Sequence, residues 1–496
     1  MDAMRIDRRR FLELGLAGAA VSACAPARGP EQRPSPRPLG GKIEHFVVLM
    51  MENRSYDEML GGLPGEKYAG APEGTKLHYA TPAGARDVAL RNGAPRDWFY
   101  PDPPHRFSKV QKQIFGRGVQ APADMGGFAQ AYAEESPVVE GLALGINDYA
   151  THYGPGHLPM LQTLAQEYAV CTHWFASLPG PTTPNRMFVH AGTSGGTVSQ
   201  GLYFSRVRGK MIFDLLGGDD RLWRIYYHDI PHVWLTGDMW IKGFAGQQRR
   251  FGRFRQDVKS DNLPLYSFLE PQHVIPPWTS QHPFWGVSHG EALIARVYNE
   301  LVENPRVFEK TLLLVVWDEH GGFYDHVVPP GHAGWNAARP DIEHEVLAPD
   351  DNRDNPYAFD FRRLGVRVPA VAISPWIERG SVFGWNAENA EDRHTFDHTS
   401  VLSTVGKMTG VWVDSARARR ATSLEVTLNR TTPRHDASRL VYRSGAYRET
   451  RGGAHVALDD IPGPGKEVCD AFRVAHGRDA SPEAIARYFD ELVGSG

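Results

Sequence analysis

Thr311-Leu312-Leu313-Leu314-Val315-Val316-Trp317-Asp318-Glu319-His320-Gly321-Gly322 decides the fold. Seven uncharged, mostly apolar residues in a row have the form of a strand buried on both faces of a parallel sheet. The acid pair and the glycines end it abruptly, and in an open α/β sheet that C-terminal strand edge is where ligands bind. Upstream, Gly290 to Asn304 places Leu293, Ile294, Val297, Tyr298, Leu301 and Val302 on one face of a helix, which Pro305 stops. Ile43-Glu-His-Phe-Val-Val-Leu-Met-Met51 repeats the strand pattern and runs into Glu52-Asn53-Arg54-Ser55, and Val368 to Ser374 gives a third strand. Strands alternating with helices predict an α/β fold: a doubly wound, mostly parallel sheet with helices on both faces and long loop insertions.

The chain has 496 residues, 41% apolar and 23% charged, the composition of an ordinary globular protein rather than a disordered one. A formal net charge of −4 excludes nucleic acid as a main partner, because phosphate neutralisation needs a basic surplus. Past the first 25 residues no apolar run approaches the ~18 residues a bilayer span requires. With 51 Gly and 37 Pro, turns and loops are plentiful. The Pro-, Gly- and Trp-rich stretches at about 61–130 and 230–285 lack periodicity and read as insertions that wall a pocket. The expected organisation is a leader over 1–24, a Pro/Arg-rich tether over 25–40 and one catalytic domain over 41–496. A last helix starts at Ser481-Pro482.

Arg8-Arg9-Arg10-Phe11-Leu12 and the Gly/Ala-rich segment after it read as a twin-arginine export signal. Its end, Val21-Ser22-Ala23-Cys24, resembles a lipoprotein lipobox, so a periplasmic or cell-surface protein tethered to the membrane by lipid at Cys24 is expected. The alternative is cleavage after Ser22-Ala23 with no lipid. Three cysteines make no disulfide framework. Cys171, in an apolar stretch, reads as a buried thiol, with pairing to Cys469 as the other possibility.

Three polar clusters stand where strands or loops end: Glu52-Asn53, Thr182-Thr183-Pro184-Asn185-Arg186, and Asp318-Glu319. Each alone reads as a solvated loop edge. Together they supply a hydroxyl flanked by oxygen donors, which metal-assisted nucleophilic catalysis requires, since a threonine hydroxyl is a poor nucleophile at neutral pH.

Glu52-Asn-Arg-Ser-Tyr-Asp57, Pro179-Gly-Pro-Thr-Thr-Pro-Asn-Arg186, Asp318-Glu-His-Gly-Gly-Phe-Tyr-Asp-His-Val327 and Phe396-Asp-His-Thr-Ser400 resemble, in this order, the phosphoesterase family of bacterial and plant non-specific phospholipases C and related acid phosphatases. The resemblance implies an alkaline phosphatase-like core. It also implies roles: Glu52, Asn53, Thr182, Asp318 and Glu319 hold one divalent metal ion (Ca, Mg, Mn, Zn or Fe), and Thr182 attacks phosphorus to give a phosphothreonine. Arg186 either orients the nucleophile's loop or holds a phosphoryl oxygen. His105, His282, His326 and His398 are the catalytic histidines it points to among the 21 in the chain. His105 and His282 are the preferred phosphate-contacting or proton-donating pair, while His326 and His398, each preceded by Asp, are alternatively supporting residues.

One segment departs from the family pattern His-Pro-x-His-Asp. Here it reads His282-Pro-Phe-Trp285-Gly286, and Ser280 stands where Asp is usual. His289 or Asp229 is expected to substitute, His289 as a substrate-binding residue. The resemblance implies a phosphoester or phospholipid substrate, cleaved in the manner of a phospholipase C. Two alternatives are an acid phosphatase acting on monoesters and a surface lipoprotein that binds a phosphorylated ligand without turnover. The Thr182-x-Pro-x-Arg186 echo of sulfatases fails, because threonine cannot become formylglycine.

Overall fold

The apolar runs assemble an eight-stranded sheet: β1 (His45–Met51), β2 (Ala169–Cys171), β3 (Trp223–Tyr227), β4 (Gln248–Arg250), β5 (Tyr266–Glu270), β6 (Thr311–Trp317), β7 (Ala370–Ile373) and β8 (Ser381–Phe383). The computed structural model describes residues 34–442 except 96, 100, 119–120, 201–206, 208–210, 230, 234–245, 274–276, 332–354 and 385–393. The leader with Cys24, most of the tether, Cys469 and the helix expected at Ser481 lie outside the described residues. Strand order is β4-β3-β5-β1-β6-β7-β2-β8. Every β6 residue and all of β1 except His45 are buried. Alternate side chains point to opposite faces, so both faces of the sheet are covered.

Among the described residues, eight helices do the covering: α1 (Pro159–Glu167), α2 (Thr182–Ala191), α3 (Ile212–Leu216), α4 (Gly252–Lys259), α5 (Ser288–Val302), α6 (Pro305–Glu309), α7 (Thr399–Thr409) and α8 (Ala416–Arg420). They form two groups: α5 packs on α1, α4 and α6, while α2 packs on α3 and α7, and α7 on α8. The doubly wound, mostly parallel α/β sheet expected from the sequence is therefore present. Pro305 does more than stop α5. It opens α6 as that helix's first residue, where its missing N–H costs nothing.

Two expectations change. The third strand is shorter than Val368 to Ser374, and β7 runs antiparallel to both β6 and β2. A buried apolar run carries no direction, and no helix among the described residues joins β6 to β7 to force a parallel return. The stretch 230–285 is not only an insertion: it contains β4, α4 and β5, and β5 pairs with β1 at the centre of the sheet. Five residues broken by Ser267 and ended by Glu270 gave no apolar run to read.

Residues 61–130 do form an added lobe. A hairpin (Lys76–Thr81 with Gly84–Ala89) and helices Phe107–Ile114 and Phe128–Glu135 share a cluster with Phe323 and Tyr324 from the loop after β6. The described end of the tether lies on the body, with Ser35 N and Arg37 N donating to the carbonyls of Thr409 and Met408 at 2.7 and 2.8 Å. Cys171 is buried in β2, which pushes its thiol pKa up.

Candidate active site

Register builds the site. β1 and β6 are parallel and in phase, with Met51 beside Trp317, so Glu52-Asn53 and Asp318-Glu319 leave the sheet side by side. Leu49 pairs with Leu269 across β1 and β5, which brings Glu270 to the same edge. Asn53 has a left-handed φ of 57° and donates its N–H to Asp318 Oδ1 at 3.0 Å, while Arg54 N donates to Glu319 O at 3.0 Å. The approach is so close that a Cβ on Gly321 would lie 2.1 Å from the Asn53 carbonyl oxygen, so only glycine fits.

Thr182 is the first residue of α2 and is buried. Asn185 aims it: its Oδ1 accepts from Leu178 N at 3.0 Å, and its Nδ2 donates to the carbonyls of Gly180 and Pro181 at 2.9 and 3.0 Å. Thr182 Oγ1 donates to Asn53 Oδ1 at 3.0 Å. The hydroxyl therefore sits at a helix N-terminus, where backbone N–H groups favour an anion. Thr183 turns elsewhere, with its Oγ1 3.3 Å from His232 Nε2.

Arg186 is fully buried and its guanidinium is already engaged. Nε donates to Asp318 Oδ2 at 2.8 Å, Nη1 to Glu270 Oε2 at 2.9 Å and Nη2 to Met51 O at 3.2 Å. These bonds tie α2 to the ends of β1, β5 and β6, and none of them reaches the loop before Thr182.

The electrostatics describe a place for a cation. Glu52, Glu270, Asp318 and Glu319 are all buried; the first three face Arg186 and His273, and Glu319 faces His105 and His320. Burial opposes ionisation of Glu52, but His273, 3.1 Å from its Oε2, pulls its carboxyl below the usual range. Burial also works against protonated His273, and Glu52 and Glu270 overcome it, raising the imidazole to about 9. Burial and the neighbouring Asp318 push Glu319 well up. Glu52 Oε1 and Glu319 Oε1 are buried without a hydrogen-bond partner. Two unpartnered carboxylate oxygens, with the Asn53 amide that accepts from Thr182, are donors of the kind a hard divalent cation takes, while the ligand atoms that already converge are those of Asp102, His105 and His282 and of Asp57, Asp325 and His326.

His105 and His282 meet on the other side of Glu319, with ring centroids 6.0 Å apart. His105 Nδ1 donates to Pro103 O at 2.9 Å, which leaves Nε2 to accept from Asn53 Nδ2 at 3.4 Å, with Glu319 Oε1 at 3.9 Å. Phe284 N donates to His282 Nδ1 at 3.4 Å, which assigns the His282 proton to Nε2. That Nε2 is buried and unpartnered, with Asp102 Oδ2 3.8 Å away. Asp102 also lies 3.7 Å from His105 Nδ1, so one carboxylate stands near both rings, beyond hydrogen-bond distance of each.

The other two histidines do different work. His398 Nδ1 accepts from Trp174 Nε1 at 3.2 Å and Nε2 donates to Asp318 O at 2.5 Å. Burial pushes its pKa down to about 4, so neutral His398 holds the Asp318 carbonyl. His326 joins a second cluster, its Nδ1 2.7 Å from Asp57 Oδ2, where Arg367 bridges Asp57 and Asp325 at 2.9 Å each. This clamp ties the segment after β1 to the loop after β6. Arg367→Met is expected to destabilise the fold by about 3–5 kcal/mol, because two buried carboxylates lose their cation. A denaturation midpoint equal to that of the parent chain would show the clamp to be dispensable.

The departing segment is rebuilt. Gly286 has φ +85°, and a Cβ there would fall 2.8 Å from the Asp97 carboxylate. Asp97 instead accepts from Val287 N at 2.9 Å and Ser288 Oγ at 2.7 Å, holding the start of α5. Trp285 stacks on Trp278 at 3.8 Å, and Ser280 O accepts from Glu52 N at 2.9 Å. Asp229 accepts from His273 N at 3.0 Å rather than entering the His105–His282 group, and His289 lies half-buried in the first turn of α5.

Sequence reading therefore missed Glu270, His273, His232 and Asp102. Glu270 ends β5, and His273 and His232 follow β5 and β3 at the same strand edge as the residues it found. Asp102 had only its place in Asp102-Pro-Pro-His105 to mark it.

A family model described as "Phosphoesterase family" matches residues 43–412. Non-specific phospholipase C6 of Arabidopsis thaliana is 30% identical over 93% of this chain and 85% of its own length. Non-specific phospholipase C3 of the same plant is 33% identical over 79% of this chain and 75% of its own. Phospholipase C B of Mycobacterium tuberculosis is 28% identical, covering 84% of this chain and 83% of that protein.

Proposed function

The chain belongs to the phosphoesterase family, and from that premise we propose that it works as a phospholipase C. The substrate is a phosphatidylcholine-like diester, and the products are diacylglycerol and a phosphorylated headgroup. The observation that carries this reading is the Thr182 hydroxyl at the start of α2, hydrogen-bonded to Asn53 among buried, partly unsatisfied carboxylates.

Thr182 Oγ attacks phosphorus, the bond from phosphorus to the glycerol oxygen breaks, and the headgroup phosphate stays on Thr182. Water then attacks phosphorus and the threonine oxygen leaves. The N-terminus of α2 faces the charge that builds on the phosphoryl oxygens. His282, with its proton on a buried and unpartnered Nε2 that lies 3.8 Å from Asp102 Oδ2, is placed to protonate the departing glycerol oxygen. Glu52, Asn53, Asp318 and Glu319 are the residues that would hold a divalent cation. Such an ion, when bound, supplies the acidity that a threonine hydroxyl lacks at neutral pH and offsets phosphoryl charge. The leader supports export, with Cys24 as the residue that would carry lipid.

The test compares p-nitrophenyl phosphorylcholine, p-nitrophenyl phosphate and phosphatidylcholine vesicles on one preparation. Both diesters are expected to turn over at least about tenfold faster than the monoester, a difference of ~1.4 kcal/mol in transition-state stabilisation. A monoester preference would replace this reading with that of a phosphatase using the same nucleophile.

A further inference from the structure

We propose that the hairpin formed by Val138–Val139 and Leu142–Ala143 is a membrane-docking element that seats the catalytic domain on its lipid substrate; this rests on the phospholipase reading above. Among the described residues six large apolar side chains are exposed, and four of them belong here: Val138 (43%), Val139 (55%), Leu142 (44%) and Leu144 (45%). Isolated exposed aliphatics are ordinary, but four within seven residues form a patch.

The hairpin is held so that these side chains stay outside. Val138 pairs with Ala143 and Val139 with Leu142, around Glu140 and Gly141 with φ of 51° and 78°, the positive values that a tight two-residue turn demands. Thr81 Oγ1 donates to Gly141 O at 3.1 Å, and Leu144 N donates to Pro137 O at 2.8 Å. Ala143 is buried beneath the hairpin, leaving the larger residues exposed.

Two features choose a lipid surface over a protein. The four exposed apolar side chains are aliphatic, with none of the Tyr, Trp or Met that anchor protein interfaces, and exposed Glu140 stands at the turn between them. Beside the turn stands exposed Arg86, whose guanidinium lies 3.2 Å from where a Gly141 Cβ would be and which makes no ion pair with another described residue. Arg86 thus stands at the turn with Glu140, beside the exposed aliphatics, where its guanidinium can meet a lipid phosphate.

A third feature joins the hairpin to the chemistry. Tyr132 Oη donates to Leu144 O at 3.2 Å, and its ring stacks on Tyr149 at 4.3 Å. Tyr149 Oη donates to Gly322 O at 2.8 Å, within the loop that carries Asp318 and Glu319. The hairpin and the catalytic loop are thus two ends of one packed lobe.

The test uses the full chain carrying Val139→Ser with Leu142→Ser, assayed on phosphatidylcholine/phosphatidylglycerol vesicles and on soluble p-nitrophenyl phosphorylcholine. Vesicle hydrolysis is expected to fall at least tenfold while the soluble rate stays within twofold of the parent. As an activity-independent readout, Val139→Trp should gain emission that brominated acyl chains quench, measured against the parent chain. Equal vesicle rates, or added emission in the Val139→Trp variant that the brominated lipid leaves unquenched, would overturn the proposal. So would a loss of dimer mass in the serine variant, which would assign the patch to a second copy. If the parent chain turns over neither substrate, the phospholipase reading fails, and the quenching alone still decides whether the hairpin enters lipid.

Discussion

Thr182→Ala is expected to lower phosphodiester turnover by about 10⁴-fold or more, the scale seen when a covalent nucleophile is removed from its site. The variant should still fold. It loses one hydrogen bond, to Asn53 Oδ1, whose removal costs about 1–3 kcal/mol. The loop before it remains tied by Asn185. Thr182→Ser keeps a hydroxyl at the helix start and should retain measurable turnover, which separates lost chemistry from lost structure. Undiminished activity in the alanine variant would move the nucleophile elsewhere. No turnover in the parent chain on any phosphoester would leave the reading of a ligand-binding protein.

Glu52→Gln is the second large effect. The parent chain should contain about one divalent ion at the Glu52–Asn53–Asp318–Glu319 set, and the variant should lose most of it. Turnover should fall by about 10²–10³-fold, comparable to deleting one preorganised electrostatic group. Elemental analysis and the shift in melting temperature on adding a chelator read the ion without reference to activity. A chelator should destabilise the parent and leave the variant unmoved. The electrostatic reason is local: Glu52 Oε2 faces His273 while Oε1 has no partner, so the amide removes charge at the oxygen left for the ion. A metal-free parent preparation with full activity would sink the cation hypothesis altogether.

What could be read from the sequence followed strand length. β1 and β6 are seven-residue runs that end in acids, so the sheet and Glu52, Asn53, Asp318 and Glu319 were legible together. β5 is five residues with a buried serine inside it, so Glu270 and His273 looked like loop residues although β5 lies at the centre of the sheet. Histidines were harder. Four were named from motifs, but His105 and His282 face the site, His398 holds a carbonyl, and His326 belongs to the Arg367 clamp. A motif fixes identity and spacing, whereas these roles depend on which nitrogen meets which partner. The Trp285-Gly286 departure was visible, but its meaning came only with Asp97, almost two hundred positions away along the chain.

The matched ends of β1 and β6 also limit how this protein can change. Side chains on a strand alternate, so losing or gaining one residue inside either run would invert everything downstream of it and turn Glu52 or Asp318 to the wrong side. Length variation is thereby confined to the connections, and new specificities can be added to this scaffold only as ornament around a core whose residue count is locked.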